Sequence, residues 1–581
     1  MSMSAQAVAM SAPAVSTHES PHQALDKAIA EVSAHAEEWT RLDVSEKARL
    51  LRSLFPRLAA EAEGWVRAGC AAKGLNPDDV ESAEEWLAGV DPTVRNVRLL
   101  AESLEAIAAR GKPALGHGLE QRDDGRLEIE VFPASMLDKL QFAGFTARTF
   151  LEPGVTEEQA RERQASWYAR KDPRPSVCAV LGAGNVSSIP PMDVFYKLFA
   201  EGRVCVLKMN PVNEWVGPFL ERALAPLVER GFLRVVYGGG QAGKYLVEHA
   251  GIDDVHITGS DKTHDLIVWG PPGPERERRK KAKDPVLKKS ITSELGNVSP
   301  VVFVPGPYSE SELAFQATSM ASMITNNASF NCNAGKMMVL SKKWPQRERF
   351  LALLGERLAR ARPRKAYYPG ARDRYQELTA GRARVEKYGE AGPDALPWTV
   401  IRDLDPTDKG ERAFSTEPFC ALVSEVSLDE ADPAAFLAQA TRFCNDTLWG
   451  TLNAAITIHP SQEKDPAIAA ALAKAVDELR YGSIAINHWP ALVYALTSPP
   501  WGGHPSSTLE NIQSGLGWVH NTFLLEGIEK TVLRGPLTVS PKPVWFFDNK
   551  MAHQVGRKLV SMEASPSFLK LPGIVLSALR G

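Results

Sequence analysis

Short apolar runs that alternate with helix-length segments constrain this chain more than any other feature. Val177-Cys178-Ala179-Val180-Leu181 is the first such run, and it ends in Gly182-Ala183-Gly184-Asn185. Beyond a helical stretch over 192–201 comes Val204-Cys205-Val206-Leu207-Lys208. A helix over 216–230, a run at 233–236 and the turn Gly238-Gly239-Gly240 follow, then a helix over 242–250 and a run at 254–257 before Thr258-Gly259-Ser260. Strands too apolar to alternate, each followed by a helix, predict a doubly wound parallel sheet with its ligand beyond the carboxyl ends of the strands. From about residue 301 the pattern resumes: strand 301–304, helix 311–329, strand 337–341, helix 346–361, and later strands at 454–458 and 483–487. Ahead of both units, 24–39 and 44–70 carry apolar residues at helical spacing, and 127–132 reads as a strand.

A chain of 581 residues exceeds one hydrophobic core, so two or three domains are expected. The net charge of -3 argues against a general nucleic-acid binder. Cys70, Cys178, Cys205, Cys332, Cys420 and Cys444 are scattered without a CxxC pair, which supports neither a disulfide framework nor a metal site and suits a reducing cytoplasm. No apolar run reaches the ~18–20 residues that span a bilayer. Residues 1–22 contain no Lys or Arg and read as a disordered tail. The charge run 275–281 reads as a solvated surface insertion rather than a phosphate patch. The stretch 533–547 is a candidate intersubunit strand, confined to an edge by Pro541 and Pro543.

Two polar segments stand out, one just ahead of the second unit and one within it. Asn331-Cys332-Asn333-Ala334-Gly335 lies between a helix and a strand, and Ser293-Glu294-Leu295-Gly296-Asn297 precedes it. A thiol that attacks a carbonyl needs a carboxylate to move protons and amide donors for the oxyanion. Glu294, Cys332 and Asn185 could supply all three, although a cysteine taken alone is more often core. Glycines after strands let a backbone approach phosphate, and Lys208 at a strand's carboxyl end could reach a ribose or phosphate. Gly240, Gly259 and Ser260 stand on the same series of turns.

Nine segments, in order, resemble the NAD(P)-dependent aldehyde dehydrogenase superfamily over about residues 23–535. They are 181–185, 206–210, 257–260, 293–300, 327–335 with Cys332, 417–419, 445–450, 486–487 and 500–503. The resemblance implies two Rossmann-like α/β domains plus a small oligomerisation sheet. It also implies a homodimer or homotetramer, and NAD or NADP as cofactor. Expected divisions are a tail over 1–22, an N-terminal and cofactor unit over 23–300 completed by about 485–530, a catalytic unit over 301–484, and an oligomerisation strand with a C-terminal extension over 531–581. Cys332 resembles the family nucleophile, Glu294 its general base and Asn185 its oxyanion donor. Lys208 is similar to the ribose lysine, Ser260 to the pyrophosphate contact, and Glu417 and Phe419 to the pair that positions the nicotinamide.

Departures mark a divergent member. Phe330 stands near the thiol where common members have glutamine, Asn297 replaces a glycine beside the base, and Pro211 replaces the carboxylate that disfavours a 2′-phosphate. Phe330, Trp449, Trp501 and His488 suggest an aromatic substrate entrance. The expected activity is oxidation of a small-molecule aldehyde to a carboxylate through a cysteine thioester. A CoA-acylating dehydrogenase and a non-catalytic binding module are the alternatives, and Glu294 argues against the first because a base beside a thioester promotes hydrolysis.

Overall fold

The computed structural model describes residues 21–115 and 118–581, so the expected tail falls, up to residue 20, outside the described residues. Helix Pro21–Arg41 begins directly after them. It lies on strands Val204–Lys208 and Leu233–Val236, while Val44–Lys73 packs along Asp91–Arg110.

The first α/β unit is a six-stranded sheet in the order Gly515–Leu516, Ser290–Leu295, Asp254–Gly259, Val177–Leu181, Val204–Lys208, Leu233–Val236. All but Gly515–Leu516 run parallel. Every residue of Val204–Lys208 is buried, which explains why that segment reads as a continuous apolar run. The carboxyl ends turn into helices Ile189–Phe195, Gly240–Glu248 and Asp261–Trp269.

The second sheet has eleven strands. Its parallel centre runs Ile528–Arg534, Ser483–Ile486, Asn453–Thr457, Pro300–Phe303, Met337–Ser341, Leu422–Leu428, Trp398–Leu404. Antiparallel strands flank it: Val385–Tyr388 on one side, and Thr146–Leu151, Leu127–Phe132 and Leu119–Gln121 on the other. The strands expected to make a small sheet of their own are thus joined edge to edge with the parallel strands of the second α/β unit. The edge strand expected over 533–547 lies instead at Ile528–Arg534, in the interior of this sheet. Pro536, Pro541 and Pro543 donate no backbone hydrogen bond, and the chain leaves the sheet there.

Two further expectations shift. The helix predicted over 311–329 ends at Thr325, because Asn327, Ala328 and Ser329 adopt left-handed φ values of 51°, 54° and 69°. The charge run forms helix Pro274–Ala282, in which no side chain is buried and Arg278 and Arg279 pair with Glu275, as a solvated face would. Past the sheet, helix Ala552–Ala564 packs on Asp91–Arg110 and on Leu571–Ala578. Its Glu563 pairs with Arg95 at 2.9 Å and Arg98 at 2.7 Å, all three buried.

Candidate functional site

Cys332 sits where two cavities meet. On one side a cleft of about 1390 Å³ opens at the carboxyl ends of the six-stranded sheet, and on the other a tunnel of about 190 Å³ runs toward the C-terminal segment. Cys332 and Ile189 line both.

The loop that presents the thiol is held from several directions. The Cys332 carbonyl accepts hydrogen bonds from Ser299 Oγ, Lys336 Nζ and Asn453 Nδ2, each at 3.1 Å. Upstream, Asn327 Nδ2 donates to the carbonyls of Asn185 (3.0 Å) and Phe330 (3.1 Å) and to Asn331 Oδ1 (3.0 Å). Lys73 reaches in from the N-terminal helices, donating to Asn327 Oδ1 at 2.9 Å and pairing with buried Glu85 at 2.6 Å. Tyr367 donates to Asn327 Oδ1 at 2.8 Å. Three successive left-handed residues cost strain, and this density of bonds offsets it.

Glu294 lies beside the thiol, and both it and Asn185 line the cleft with Cys332. Glu294 is buried on strand Ser290–Leu295, and its Oε2 has no hydrogen-bond partner. Burial, then the charge of Asp193, push its carboxyl up to about 8. Burial and the neighbouring Glu294 hold the Cys332 thiol well above its ordinary value, while Lys336 works in the opposite direction. Asn185 Nδ2 donates to the Phe330 carbonyl at 2.9 Å, which fixes the amide beside the loop that carries Cys332.

The expected cofactor residues all lie on the cleft. Lys208, Gly240, Gly259, Ser260, Glu417 and Phe419 line it, with Gly182 and Pro211. A side chain could be added at Gly239 or Gly240 without meeting an atom within 4 Å, so the turn stands open to the cleft. Ser260 caps helix Asp261–Trp269 by accepting from Thr263 N at 3.2 Å. Burial lowers the pKa of Lys208, whose Nζ donates to the Met209 carbonyl at 3.1 Å. A Cβ at Gly296 would lie 1.9 Å from Glu417, so only glycine admits that carboxylate. Phe419 holds a φ of 40°, a strained value for an aromatic residue. Open glycine turns, helix N-termini and a lysine at strand ends suit a dinucleotide. Among the described residues no cluster of three or more His, Cys, Asp or Glu could hold a metal, and no helix is long and apolar enough to cross a membrane.

The aromatic entrance expected from Phe330, Trp449, Trp501 and His488 is not formed by them. Phe330 is buried against Tyr367, Tyr368 and Phe419, Trp449 lines the larger cleft, and Trp501 is buried. His488 packs between Phe145 and Trp545. None of the four lines the tunnel, whose aromatic residues include Phe142, Trp489 and Trp545. Asn297 does not crowd the base either. It donates to the Asn453 carbonyl at 2.9 Å and accepts from Ser299 at 2.8 Å. Gly450 makes room, since a Cβ there would lie 2.3 Å from that of Asn297.

Sequence reasoning missed Lys336, which pairs with Glu417 and bonds the Cys332 carbonyl, and Lys73. Lys336 carried a signal: a lysine one residue before a fully buried strand. Lys73 carried none, because its partners lie far along the chain.

Fold and site together define a doubly wound α/β protein with a thiol between a dinucleotide-type cleft and a second, narrower cavity. Residues 122–370 match the model of the aldehyde dehydrogenase family. Comparison with curated proteins finds no match. Similar solved structures include a mutant of aldehyde dehydrogenase C from Pseudomonas syringae, in complex with NAD+ and octanal. It is 16% identical, with 89% of this chain and 90% of that one covered and a TM-score of 0.59. An NADP-dependent glyceraldehyde-3-phosphate dehydrogenase from Bacillus halodurans, complexed with NADP, is 17% identical over 88% and 91%, with a TM-score of 0.58. An aldehyde dehydrogenase from Burkholderia cenocepacia, so described provisionally, is 18% identical over 88% and 91%, with a TM-score of 0.56. Residues 122–370 thus resemble the aldehyde dehydrogenase family, and the chain shares the fold of these structures.

Proposed function

We propose that the protein oxidises an aldehyde to a carboxylic acid with NAD or NADP, through a thioester on Cys332. The observation that carries this reading is the position of Cys332 at the meeting of two cavities, with the Glu294 carboxyl beside it. The aldehyde enters by the tunnel, and the Cys332 sulfur adds to its carbonyl carbon as the thiol proton is lost. The amide of Asn185 carries two N–H bonds; one is engaged by the Phe330 carbonyl and the other is available to the oxyanion. The dinucleotide, when bound, supplies the hydride acceptor that turns this adduct into a thioester. Ionised Glu294 then removes a proton from water, whose oxygen attacks the thioester carbon. The carboxylic acid leaves and sulfur recovers its electron pair. Lys336, paired with Glu417, favours the thiolate electrostatically.

Lys208 and the open glycine turn would hold the dinucleotide's adenosine and phosphate end, and Glu417 and Phe419 its nicotinamide end. Pro211 on the cleft wall supports acceptance of NADP, since it places no carboxylate against a 2′-phosphate. Location in the cytoplasm and assembly into a dimer or tetramer belong to the same reading, as does division into cofactor and catalytic units near residue 300.

The test is nicotinamide reduction with butanal, octanal and benzaldehyde, with NAD or NADP, and with or without CoA. CoA-independent turnover that disappears in Cys332→Ala is the expected result. Turnover that needs CoA, or that survives Cys332→Ala, overturns it.

A further inference from the structure

The large apolar side chains that stand exposed are gathered rather than scattered. Among the described residues there are ten, and seven lie on two elements that share one small core. Five belong to the C-terminal tip, which is the single turn Phe568–Lys570 and helix Leu571–Ala578 with the residue after it. They are Phe568, Leu569, Val575, Leu576 and Leu579, each about half exposed or more, with Leu569 at 91%. Met136 and Leu140 stand one turn apart on helix Met136–Gln141. Leu137 of that helix and Leu571 of the tip both pack against Val555, Met562 and Ile574. Single exposed leucines are ordinary, but a gathered set marks a contact surface.

The tip offers that surface little polar cover. Helix Leu571–Ala578 buries Ile574 and Ser577 and packs on helix Ala552–Ala564, while Pro572, Gly573, Val575 and Leu576 face outward. A helix that is apolar on both sides is ordinarily buried. The charged side chains around it are cationic. Residues 564–581 contain no Asp or Glu, and Lys570 and Arg580 bracket the helix. Lys570 Nζ donates to the carbonyls of Ser561 and Ser565 at 2.8 and 2.9 Å. Lys558 Nζ donates to the Gly573 carbonyl at 2.9 Å and to Ser577 Oγ at 2.6 Å. Both ammoniums are thus anchored by neutral acceptors and keep their charge. Exposed Lys139 sits between Met136 and Leu140. Glu563 and Asp138, the acids of the two supporting helices, are buried against Arg95 and Arg98.

This pattern decides between occupants. A second copy meeting the first across a twofold axis would set these cations against their own equivalents, with no acid of the tip between them. A bilayer with anionic headgroups offers phosphates to the cations and a hydrocarbon boundary to the leucines. We propose that the C-terminal tip, with Met136 and Leu140, docks the protein on an anionic phospholipid surface, its apolar side chains entering the boundary between headgroups and acyl chains. Docking of this kind needs no membrane-spanning helix. Helix Ala552–Ala564, on which the tip packs, also contributes Leu559 and Glu563 to the tunnel, so the docked protein carries that wall of the tunnel one helix away from lipid. The proposal does not depend on the reaction assigned to Cys332.

Flotation of the full chain with vesicles tests it. The protein should rise with mixed vesicles of phosphatidylcholine and phosphatidylglycerol, and bind vesicles of phosphatidylcholine alone at least about tenfold more weakly. Leu569→Glu with Leu576→Glu changes two exposed side chains and should weaken association with the mixed vesicles by about tenfold or more, while thermal unfolding stays unchanged. Lys139→Gln with Arg580→Gln should erode the preference for anionic lipid by about fivefold per charge. Where the glutamate pair lowers the unfolding temperature, the glutamine pair and the parent's own lipid preference decide. Absence of flotation with the mixed vesicles, equal binding of both vesicle types, or undiminished binding of a folded glutamate variant overturns the proposal. A parent dimer in sedimentation velocity that the glutamate variant dissociates does so too, because the tip then serves a second copy.

Discussion

At the scale of single residues, the two titrating groups of the site restrain each other. Glu294 is pushed up to about 8, so it is protonated and idle as a base below that pH. A base acts when ionised, so turnover limited by thioester hydrolysis should climb with pH through a midpoint near 8. In Glu294→Gln that limb should vanish and steady-state rate fall by about 10²–10⁴-fold, while the first-turnover burst of reduced nicotinamide persists. Stopped-flow absorbance across pH 6 to 10 separates the two phases, and an unchanged steady state would place the base elsewhere. Lys336 acts on the other partner. Its charge lowers the Cys332 pKa against burial and Glu294. Lys336→Met should therefore slow iodoacetamide labelling of Cys332 at pH 8, by about tenfold for each unit the thiol rises. Unaltered labelling would show that the Glu417–Lys336 pair serves only to hold the cleft.

At the scale of elements, the loop leading to Cys332 is a left-handed segment that helix Val44–Lys73 and Tyr367 lock in place. The lock is Lys73, anchored by Glu85 and bonded to Asn327 Oδ1 at 2.9 Å. Lys73 and Glu85 are 7% and 2% exposed at their side chains, so Lys73→Met leaves an unpaired buried carboxyl. Losing one member of such a pair costs about 3–5 kcal/mol. A drop of that size in urea-denaturation stability is expected, together with a lower kcat, because the loop's strain is no longer offset. Lys73→Met, Glu85→Gln should recover part of the stability without the activity. If the single variant is as stable as the parent, the pair is not what holds the loop.

At the scale of the whole molecule, distant segments close on one another. Helix Ala552–Ala564 returns to Asp91–Arg110 through Glu563, which faces both Arg95 and Arg98. Glu563→Gln leaves two buried guanidiniums short of a counter-charge, and unfolding free energy should fall by about 3–5 kcal/mol. Calorimetry would register it, and an unaffected transition would mean that the extension is a dispensable appendage. The parallel strands are legible in the sequence because burial on both faces imposes a continuous local apolar run, as in Val204–Lys208. Cys332, Glu294, Asn185, Lys208, Gly240, Gly259 and Ser260 are legible for a similar reason, since polar and glycine residues at strand ends interrupt otherwise apolar runs, whereas Glu417 and Phe419 emerge only from the family resemblance. The tunnel is not legible. Its walls come from segments as far apart as 80–95, 322–333, 361–364, 489–496 and 544–563, none of which carries the others' signal. The aromatic residues nominated for it pack elsewhere, since sequence records hydrophobicity but not which cavity a ring faces. The same holds for Ile528–Arg534, whose pattern specifies a strand but not its neighbours. Sequence by itself determined which segments are strands and helices and which residues could carry chemistry, because those depend on local periodicity and side-chain type. Only the tertiary structure decided that the two sheets set the thiol between a cleft and a tunnel, because that depends on contacts between residues hundreds of positions apart.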